Sequence, residues 1–341
     1  MKYTDLSKRA LPAFCVCAVL SGCGVEPSTK ADDAALVSSP IVFGTDGRTE
    51  YLAITEPPLQ IGARATAALS TSNVVVCSGA TCSLTAVSPW TTAPTASGEL
   101  PLCTDVRFRN QGRMPHCSAI LVGTQTFMTA AHCLVGTVAT QPSCTPNGPA
   151  LPIVAYFGFN ADASGTAATT IPSSDAYTCT SVQGSYIEGS EDWAVFTVDR
   201  PVTGRVPLIV DYTGLGTPLG GAVGVVGYPN GLPLKAAAGG AVKINDPSDL
   251  KYFHSSTDAF HGNSGGPVID MVTGVAVGVT NSGPVYDFSD SVVSSQHCAE
   301  TIVCSDTTGC NGGWSTQLRT SHAAKQGNVP LHPALVSTLA T

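Results

Sequence analysis

The chain has 341 residues, of which only 12% are charged, and its formal net charge is −8. An ordinary soluble domain has about 25% charged residues, so this low charge with abundant Gly, Ser, Thr and Val indicates an exported all-β protein. The acidic balance excludes a nucleic-acid-binding protein, which needs a basic face. The length is enough to bury a substantial core in one large domain or two fused ones.

The N-terminal residues predict export from a bacterial cell. Three basic residues precede the apolar run 10–20, which is too short to span a bilayer. Residues 20–23 read LSGC and resemble the lipobox of bacterial lipoproteins, in which the cysteine is acylated. We therefore expect a signal peptide over 1–23, a lipid anchor on Cys23 and a flexible tether over 24–40. An ordinary secretory signal peptide is the alternative, and the mature protein is then secreted.

The cysteines predict disulfide bonds rather than a metal site. Subtracting Cys15, Cys17 and Cys23 from the thirteen cysteines leaves ten. An even number in an exported chain fits disulfide pairing. Neither paired CxxC motifs nor an HExxH motif occurs, so we predict no metal and no other cofactor.

From residue 41 onward, short β-branched runs alternate with Gly, Pro and Asn. Such runs predict a β-sandwich or barrel. Segments 81–100 and 161–174 are rich in small polar residues and predict long surface loops, and 333–339 is the best candidate for a helix. The β-branched runs are 120–122, 153–159, 193–198, 206–210, 222–226 and 275–280.

Three short segments contain the residue types of nucleophilic catalysis. They contain one histidine, His132, one carboxylate at the start of an apolar run, Asp192, and one serine in a glycine-rich turn, Ser264. Together these supply a base, an orienting acid and a nucleophile. The segments read FMTAAHC at 127–133, EDWAVFTV at 191–198 and GNSGGP at 262–267.

The chemistry explains why these residue types are needed together. A serine hydroxyl is nearly inert at neutral pH, so Ser264 needs His132 as a base, and the imidazole needs Asp192 to hold its tautomer. A developing oxyanion needs preorganised donors. We assign this role to the backbone amides of Gly262 and Ser264, because glycine leaves the amides unobstructed.

The three segments occur in the His, Asp, Ser order of trypsin-like peptidases, and the chain resembles this family from about residue 115 to about residue 282. It is most similar to the bacterial branch that includes glutamyl endopeptidases. Residues 41–48, 227–235 and 257–260 are also similar to that branch.

This resemblance implies an all-β fold of two antiparallel Greek-key barrels, chymotrypsin-like, with a short C-terminal helix. The N-terminal barrel over 41–200 would contain His132 and Asp192, and the C-terminal barrel over 201–341 would contain Ser264. The resemblance also implies a monomeric serine endopeptidase that hydrolyses polypeptides through an acyl-enzyme intermediate.

The resemblance further implies one disulfide bond, between Cys117 and Cys133, which braces the histidine loop. It would close a loop of about 15 residues, worth around 3 kcal/mol in the chain-entropy treatment. The other eight cysteines allow 105 pairings, all of which stay open.

Two positions depart from the family. Asn263 stands where an aspartate receives the new N-terminal ammonium of an activated enzyme, so the usual zymogen switch is not expected. Phe260 stands where a half-cystine four residues before the serine normally braces the specificity pocket, so this pocket must be braced otherwise.

The substrate preference depends on Asp258, six residues before Ser264, where trypsin has the acidic floor of its primary pocket. This position predicts cleavage after Arg or Lys, with Thr280 and Ser282 also lining the pocket. The alternative is that Asp258 is a hydrogen-bonded turn residue. A glutamyl preference ranks lower, because Thr280 replaces the histidine of glutamyl endopeptidases and Asp258 would repel a glutamate. His261, beside the oxyanion turn, is a further candidate for the cleft.

Three other functions are alternatives to a peptidase of this kind, and an esterase is the first. The serine segment also matches the GxSxG elbow of esterases, but that fold needs the acid and the histidine after the serine. A quality-control protease with peptide-binding modules after its catalytic domain is the second. Only 77 residues follow Ser264, which are too few to complete a barrel and add such a module. A non-catalytic surface binding protein on the same fold remains the alternative.

Overall fold

The computed structural model describes residues 42–186, 191–246, 248–282, 286–305, 307–309 and 314–329. The predicted signal peptide, the lipidation site Cys23, the tether and the predicted helix at 333–339 lie outside the described residues. Among the described residues, no helix is long and apolar enough to cross a membrane.

The described chain consists mainly of short β-strands, as the β-branched runs predict. There are two α-helices, α1 (Pro57–Ala65) and α2 (Thr320–Gln326), within these residues. Turns of 3₁₀ helix occur at Tyr51–Ala53, Ala131–Leu134, Ser173–Asp175 and Pro229–Gly231. The strands, in chain order, are β1 (Val42–Phe43), β2 (Arg48–Glu50), β3 (Thr66–Thr71), β4 (Val75–Ser78), β5 (Thr81–Leu84), β6 (Ser88–Pro89), β7 (Thr92–Thr95), β8 (Gly98–Pro101), β9 (Gly112–Arg113), β10 (Cys117–Leu121), β11 (Thr126–Thr129), β12 (Ile153–Tyr156), β13 (Thr170–Pro172), β14 (Ala176–Tyr186), β15 (Trp193–Val198), β16 (Ala222–Gly227), β17 (Lys235–Ile244), β18 (Tyr252–Ser255), β19 (Pro267–Asp270), β20 (Ala276–Ser282), β21 (Phe288–Val293), β22 (Gln296–Thr301), β23 (Val303–Cys304) and β24 (Ser315–Arg319).

The first barrel is a closed ring of six strands in the order β10-β11-β15-β14-β12-β3. All residues of β10, β11 and β12 are buried, including the serine of β10 and the threonines of β11. Phe127 and Phe196 stack in its interior with ring centroids 5.4 Å apart. The aromatic core fixes the pairing of β11 with β15, the two strands next to the histidine and aspartate segments.

The second barrel has the strand order β16-β19-β20-β24-β18-β17 and closes through the pairing of β16 with β17. The two rings confirm the predicted all-β, two-barrel class. The run 206–210 is a wrong strand prediction: Pro207 interrupts it, and only Val210 makes an isolated bridge, to Ala276.

The N-terminal segment contacts the second barrel before the chain enters the first. Strand β2 pairs with β17, so the sheet of the second barrel includes residues from before the predicted boundary at 200. Helix α1, which the sequence analysis did not predict, has Pro57 at its start and buries Leu59 and Ala63. The side chain of Ile269 packs directly on Gly62 of this helix, where a Cβ would lie 2.0 Å from it.

A third layer, which we call the accessory layer, consists of β1 with residues 88–106 and 286–304. It contains the hairpins β7–β8 and β21–β22, and β1 pairs in parallel with β23. A separate small core of Val42, Trp90, Phe260 and Phe288 fills it. The disulfide Cys103–Cys298 joins its two hairpin segments. Segment 81–100 is therefore not the predicted long loop but contributes several short strands.

The disulfide implied by the resemblance, Cys117–Cys133, is confirmed. Cys304 is also disulfide-bonded. The remaining described pairs, which the sequence analysis left open, are Cys77–Cys82, Cys103–Cys298 and Cys144–Cys179.

Candidate active site

His132 lies in the 3₁₀ turn that follows β11 at the rim of the first barrel. The preceding Ala130 and Ala131 are fully buried, so the turn packs closely on the barrel, while the imidazole itself is 43% exposed. The disulfide from Cys133 to Cys117 ties the turn to β10. The histidine is thus fixed by its neighbours and still accessible from the cleft.

Asp192 immediately precedes β15, whose pairing with β11 brings it beside His132 although the two residues are 60 positions apart. Its carboxylate accepts two hydrogen bonds from the histidine, one from the backbone N–H at 2.8 Å and one from ring Nδ1 at 2.5 Å. The side chain of Asn281 donates to the backbone oxygen of Asp192 at 2.9 Å. Since Asp192 holds the proton on Nδ1, ring Nε2 remains the basic nitrogen.

Ser264 lies in the turn between β18 and β19 of the second barrel, and one residue of the first barrel holds this turn. The backbone N–H of Ser118, on β10, donates to the Ser264 carbonyl at 2.8 Å. The Ser118 hydroxyl donates to the Gly262 carbonyl at 2.8 Å and accepts from the N–H of Tyr228 at 3.1 Å. Ser118 is fully buried. Ser118 was not predicted, because a buried serine on a core strand belongs to no motif.

The two predicted oxyanion amides belong to peptide units whose carbonyl oxygens accept hydrogen bonds. The carbonyl of His261 accepts the Asn230 N–H at 2.5 Å, and the carbonyl of Asn263 accepts the Gly266 N–H at 2.8 Å. In a trans peptide the N–H points opposite to the C=O, so the amides of Gly262 and Ser264 are directed away from these partners. Neither amide has an acceptor within the described part of the chain. Both donors are therefore available to a ligand.

Gly262→Ala is expected to lower kcat by at least about 100-fold. Gly262 has φ +89°, and an added Cβ would lie 2.4 Å from the Tyr228 carbonyl and 3.2 Å from the Asn230 amide. The methyl group would turn the peptide away from Asn230 and remove one donor, and the loss of one such donor costs about 10²–10³ in kcat. Steady-state kinetics checks this.

Gly239→Ala is the matched control, because Gly239 also has positive φ but an added Cβ there has no atom within 4 Å. It should leave kcat unchanged. Equal kcat values for the two variants would contradict the assignment of Gly262.

His132 and Ser264 line one cavity of about 230 Å³ at the junction of the two barrels. No hydrogen bond between the Ser264 hydroxyl and the His132 ring occurs among the described residues, and such contacts are commonly loose before substrate binds. Thr280, predicted for the pocket, also lines this cavity, and its buried hydroxyl has no hydrogen-bond partner among the described residues. The remaining lining residues are Ala259, Phe260, His261 and Asn281.

His261 has an arrangement like that of His132. Asp287 accepts the His261 backbone N–H at 2.9 Å and its Nδ1 at 2.7 Å. The hydrogen bond to this carboxylate raises the pKa of His261 above its ordinary value. Asp287 lies in the accessory layer and is 3% exposed, while the imidazole is 56% exposed. His261 is thus a cleft residue, as the sequence allowed, but its partner was not predicted.

Asp258, predicted as a residue of the substrate pocket, bonds to backbone groups in this structure. Its two carboxylate oxygens accept the backbone N–H groups of Phe43 and Gly47 at 2.9 and 2.7 Å, and the residue is not among those lining the cavity. Burial raises its pKa to about 6. Asp258 therefore behaves as the hydrogen-bonded alternative. The side chain of Ser282 lies outside the described residues, and only its backbone in β20 is placed.

One group of metal-ligating residue types occurs within the described chain, formed by Cys117, His132 and Cys133. The two sulfurs form a disulfide and cannot act as thiolate ligands. This group therefore does not fit a metal ion.

The family model of the trypsin-like peptidase domain matches residues 117–279, which contain all three predicted catalytic residues. Residues 117–279 are therefore similar to a trypsin-like peptidase domain. Among curated proteins, no sequence matches the chain.

Solved structures of proteases also match this chain, at low sequence identity. A Glu endopeptidase in complex with MPD is 17% identical, with a TM-score of 0.47 over 84% of this chain and 98% of its own. The active form of the protease Rv3671c from M. tuberculosis is 15% identical, with a TM-score of 0.42 over 92% of this chain and 94% of its own. The serine endoprotease from Yersinia pestis is 13% identical, with a TM-score of 0.40 over 81% of this chain and 65% of its own.

Proposed function

We propose that this protein is a serine endopeptidase with Ser264 as nucleophile, His132 as general base and Asp192 as the residue that orients the base. One observation carries this proposal: a serine and a histidine from different barrels line one cavity, and the histidine is held by both oxygens of a carboxylate. Such a geometry fits the roles of nucleophile, base and orienting acid.

The proposed reaction has two halves. In the first, the Ser264 oxygen attacks the peptide carbonyl carbon, its proton passes to Nε2 of His132, and the oxyanion accepts hydrogen bonds from the amides of Gly262 and Ser264. The C–N bond then breaks as His132 returns the proton to the leaving amine. In the second half, water deprotonated by His132 attacks the acyl-enzyme ester, and the acid product leaves with regeneration of the Ser264 hydroxyl.

Labelling with a fluorophosphonate probe distinguishes the peptidase from a non-catalytic binding protein on the same fold. The probe bonds only to a serine whose hydroxyl is activated by a base, so stoichiometric labelling at Ser264, abolished by His132→Ala, supports the proposal. A folded wild-type protein that stays unlabelled would favour the binding protein.

For the substrate, we propose that the residue before the cleaved bond is acidic or uncharged rather than Arg or Lys. The Asp258 carboxylate, on which the basic preference rested, is occupied by two backbone amides. The ionisable residues among those lining the cavity are His132 and His261, and Asp287 favours the cationic form of His261. A cation there has an unfavourable neighbour, and a carboxylate has a favourable one.

A peptide library should therefore show kcat/KM values for Glu or neutral residues before the cleaved bond at least about tenfold above those for Arg and Lys. The preference for Glu over Gln should decrease as the pH rises, because the raised pKa of His261 keeps its positive charge at low pH and this charge is lost above the pKa. His261→Gln is the control, in which this pH effect should disappear. Dominant cleavage after Arg and Lys would contradict the proposed preference.

We also propose that the protein is exported and anchored through a lipid on Cys23. Only the sequence of the first 23 residues supports this proposal, and these residues lie outside the described part of the chain. Mass spectrometry of the mature N-terminus tests it, and an unmodified N-terminus beyond Cys23 would indicate a secreted form.

A further inference from the structure

The loop 258–264 lacks two contacts that the resemblance to trypsin-like peptidases leads us to expect. Phe260 replaces a half-cystine, and Asn263 replaces the aspartate of the zymogen switch. Asn263 is buried, with no partner for its side-chain oxygen among the described residues. Nevertheless this loop supplies the nucleophile, both oxyanion amides and part of the cavity wall. Other contacts must hold it.

The first such contact is the pair of hydrogen bonds at Asp258. One carboxylate oxygen accepts the Phe43 amide and the other accepts the Gly47 amide, so the side chain connects the loop to the N-terminal segment at two points. Asp258 is 6% exposed, and a Cβ on Gly47 would lie 3.2 Å from its carboxylate and 3.1 Å from the Ala238 carbonyl. The segment approaches so closely because residue 47 has no side chain.

The second contact is between Arg48 and Phe260. The Arg48 guanidinium is almost fully buried and lies 3.8 Å from the centre of the Phe260 ring, within the range of a cation–π contact. Asp46 accepts hydrogen bonds from this guanidinium at 2.6 and 2.9 Å, and Arg107 donates to the backbone oxygens of Asp46 and Arg48. These hydrogen bonds hold the planar guanidinium of Arg48 against the ring of Phe260, which lines the cavity.

The backbone connects these contacts to the reacting groups. The Phe260 carbonyl accepts the Asn263 N–H at 3.0 Å, so the turn that presents Ser264 rests on Phe260. The next residue, His261, is fastened through Asp287 to the accessory layer. A shift of residues 258–260 would thus move the Gly262 and Ser264 amides.

We propose that Asp258 is a positioning residue: it fastens the N-terminal segment 43–48 to the loop 258–264 and so keeps the oxyanion amides and the Ser264 hydroxyl in register with His132. The inference rests on the proposed peptidase function and deepens it. It gives Asp258 a role in catalysis for every substrate, in place of a role in selecting basic ones.

Asp258→Asn tests the role. An asparagine has one acceptor oxygen, and its NH₂ group would face the N–H of Phe43 or Gly47, so one link is lost and the other weakened. We expect kcat to decrease roughly 10- to 100-fold with KM changed less than about threefold, because a misplacement of about 1 Å in a catalytic group costs on that order. The decrease should be equal for peptides with Arg, Glu or Leu before the cleaved bond, and fluorophosphonate labelling should slow in parallel.

The matched control is Asp270→Asn in the second barrel. Asp270 is similarly buried and accepts the backbone N–H groups of Val272 and Thr273, but it lies at the end of β19 and bonds to the β19–β20 turn. It should lower the melting temperature comparably and leave kcat unchanged. Gly47→Ala is a milder second variant, in which crowding against Asp258 should lower kcat a few-fold in a protein that folds.

Three results would overturn the proposal. One is a loss in Asp258→Asn confined to Arg and Lys peptides, which would place Asp258 in the specificity pocket. Another is an unchanged kcat in both Asp258→Asn and Gly47→Ala. The third is a loss of kcat as large in Asp270→Asn, which would reflect general destabilisation. Failure of the peptidase function itself would appear separately, as wild-type protein that neither hydrolyses peptides nor takes up the fluorophosphonate.

Discussion

Ser264→Ala is expected to lower kcat for peptide hydrolysis roughly a millionfold, the size of effect seen when the nucleophile of such a triad is removed. The loss of one hydroxyl removes the covalent route and leaves only the oxyanion amides and substrate binding. The fold should be retained, because the carbonyl of Ser264, not its side chain, bonds to Ser118. Burst kinetics and the melting temperature, measured on the same preparation, check both expectations.

Ser78→Ala, in the hairpin of β4 and β5, is the matched control, since Ser78 is exposed and does not line the cavity. It should be fully active and fully labelled by the fluorophosphonate. Retention of wild-type turnover in Ser264→Ala would reject the nucleophile assignment. A contaminating protease is excluded if the specific activity does not change on further purification.

Asp192→Asn is expected to lower kcat about 10⁴-fold at neutral pH while KM changes little. The carboxylate accepts both the backbone N–H and the ring Nδ1 of His132. An amide in its place can direct only one oxygen to these two donors, and its NH₂ group favours the tautomer that carries the proton on Nε2, which cannot accept the serine proton. A pH–rate profile and the kcat value check this.

Asp290→Asn makes the same substitution in another His–Asp pair, on the exposed hairpin β21–β22, where His297 Nδ1 lies 2.8 Å from the carboxylate. Because neither residue of this pair lines the cavity, kcat should stay at the wild-type value. A decrease in Asp192→Asn of less than about tenfold would mean that His132 does not depend on this carboxylate, and the base would then need another assignment.

The fold class and the candidate triad were predictable because each depends on a local pattern. The runs at 120–122 and 193–198 lie in β10 and β15, because short apolar runs rich in β-branched and aromatic residues favour buried strands. The helix α1 and the strands of the accessory layer were not predicted. Helix α1 has only nine residues, and β7 and β8 have four residues each, so each element is short and gives little sequence pattern to recognise.

The contacts of Asp258 show what sequence spacing leaves undetermined. Six residues before Ser264 places it at the position of a pocket floor, but whether a carboxylate faces substrate or backbone depends on what other segment reaches it. Here that segment is 43–47, more than 210 residues away. Two backbone amides occupy the carboxylate oxygens of Asp258 in place of solvent or substrate. The spacing of residues within 258–264 gives no indication of these contacts.

The sequence alone predicted the candidate triad of His132, Asp192 and Ser264 and the glycines around the serine. This was possible because catalytic chemistry restricts the residue type at each of these positions. The supports of the site were not: Ser118, Asn230, Asp287 and the N-terminal segment contribute through backbone amides, carbonyls and buried side chains brought from distant positions. Almost any residue type supplies a backbone amide, so such contacts leave no mark in the sequence, and only the packing of two barrels and an accessory layer determined them.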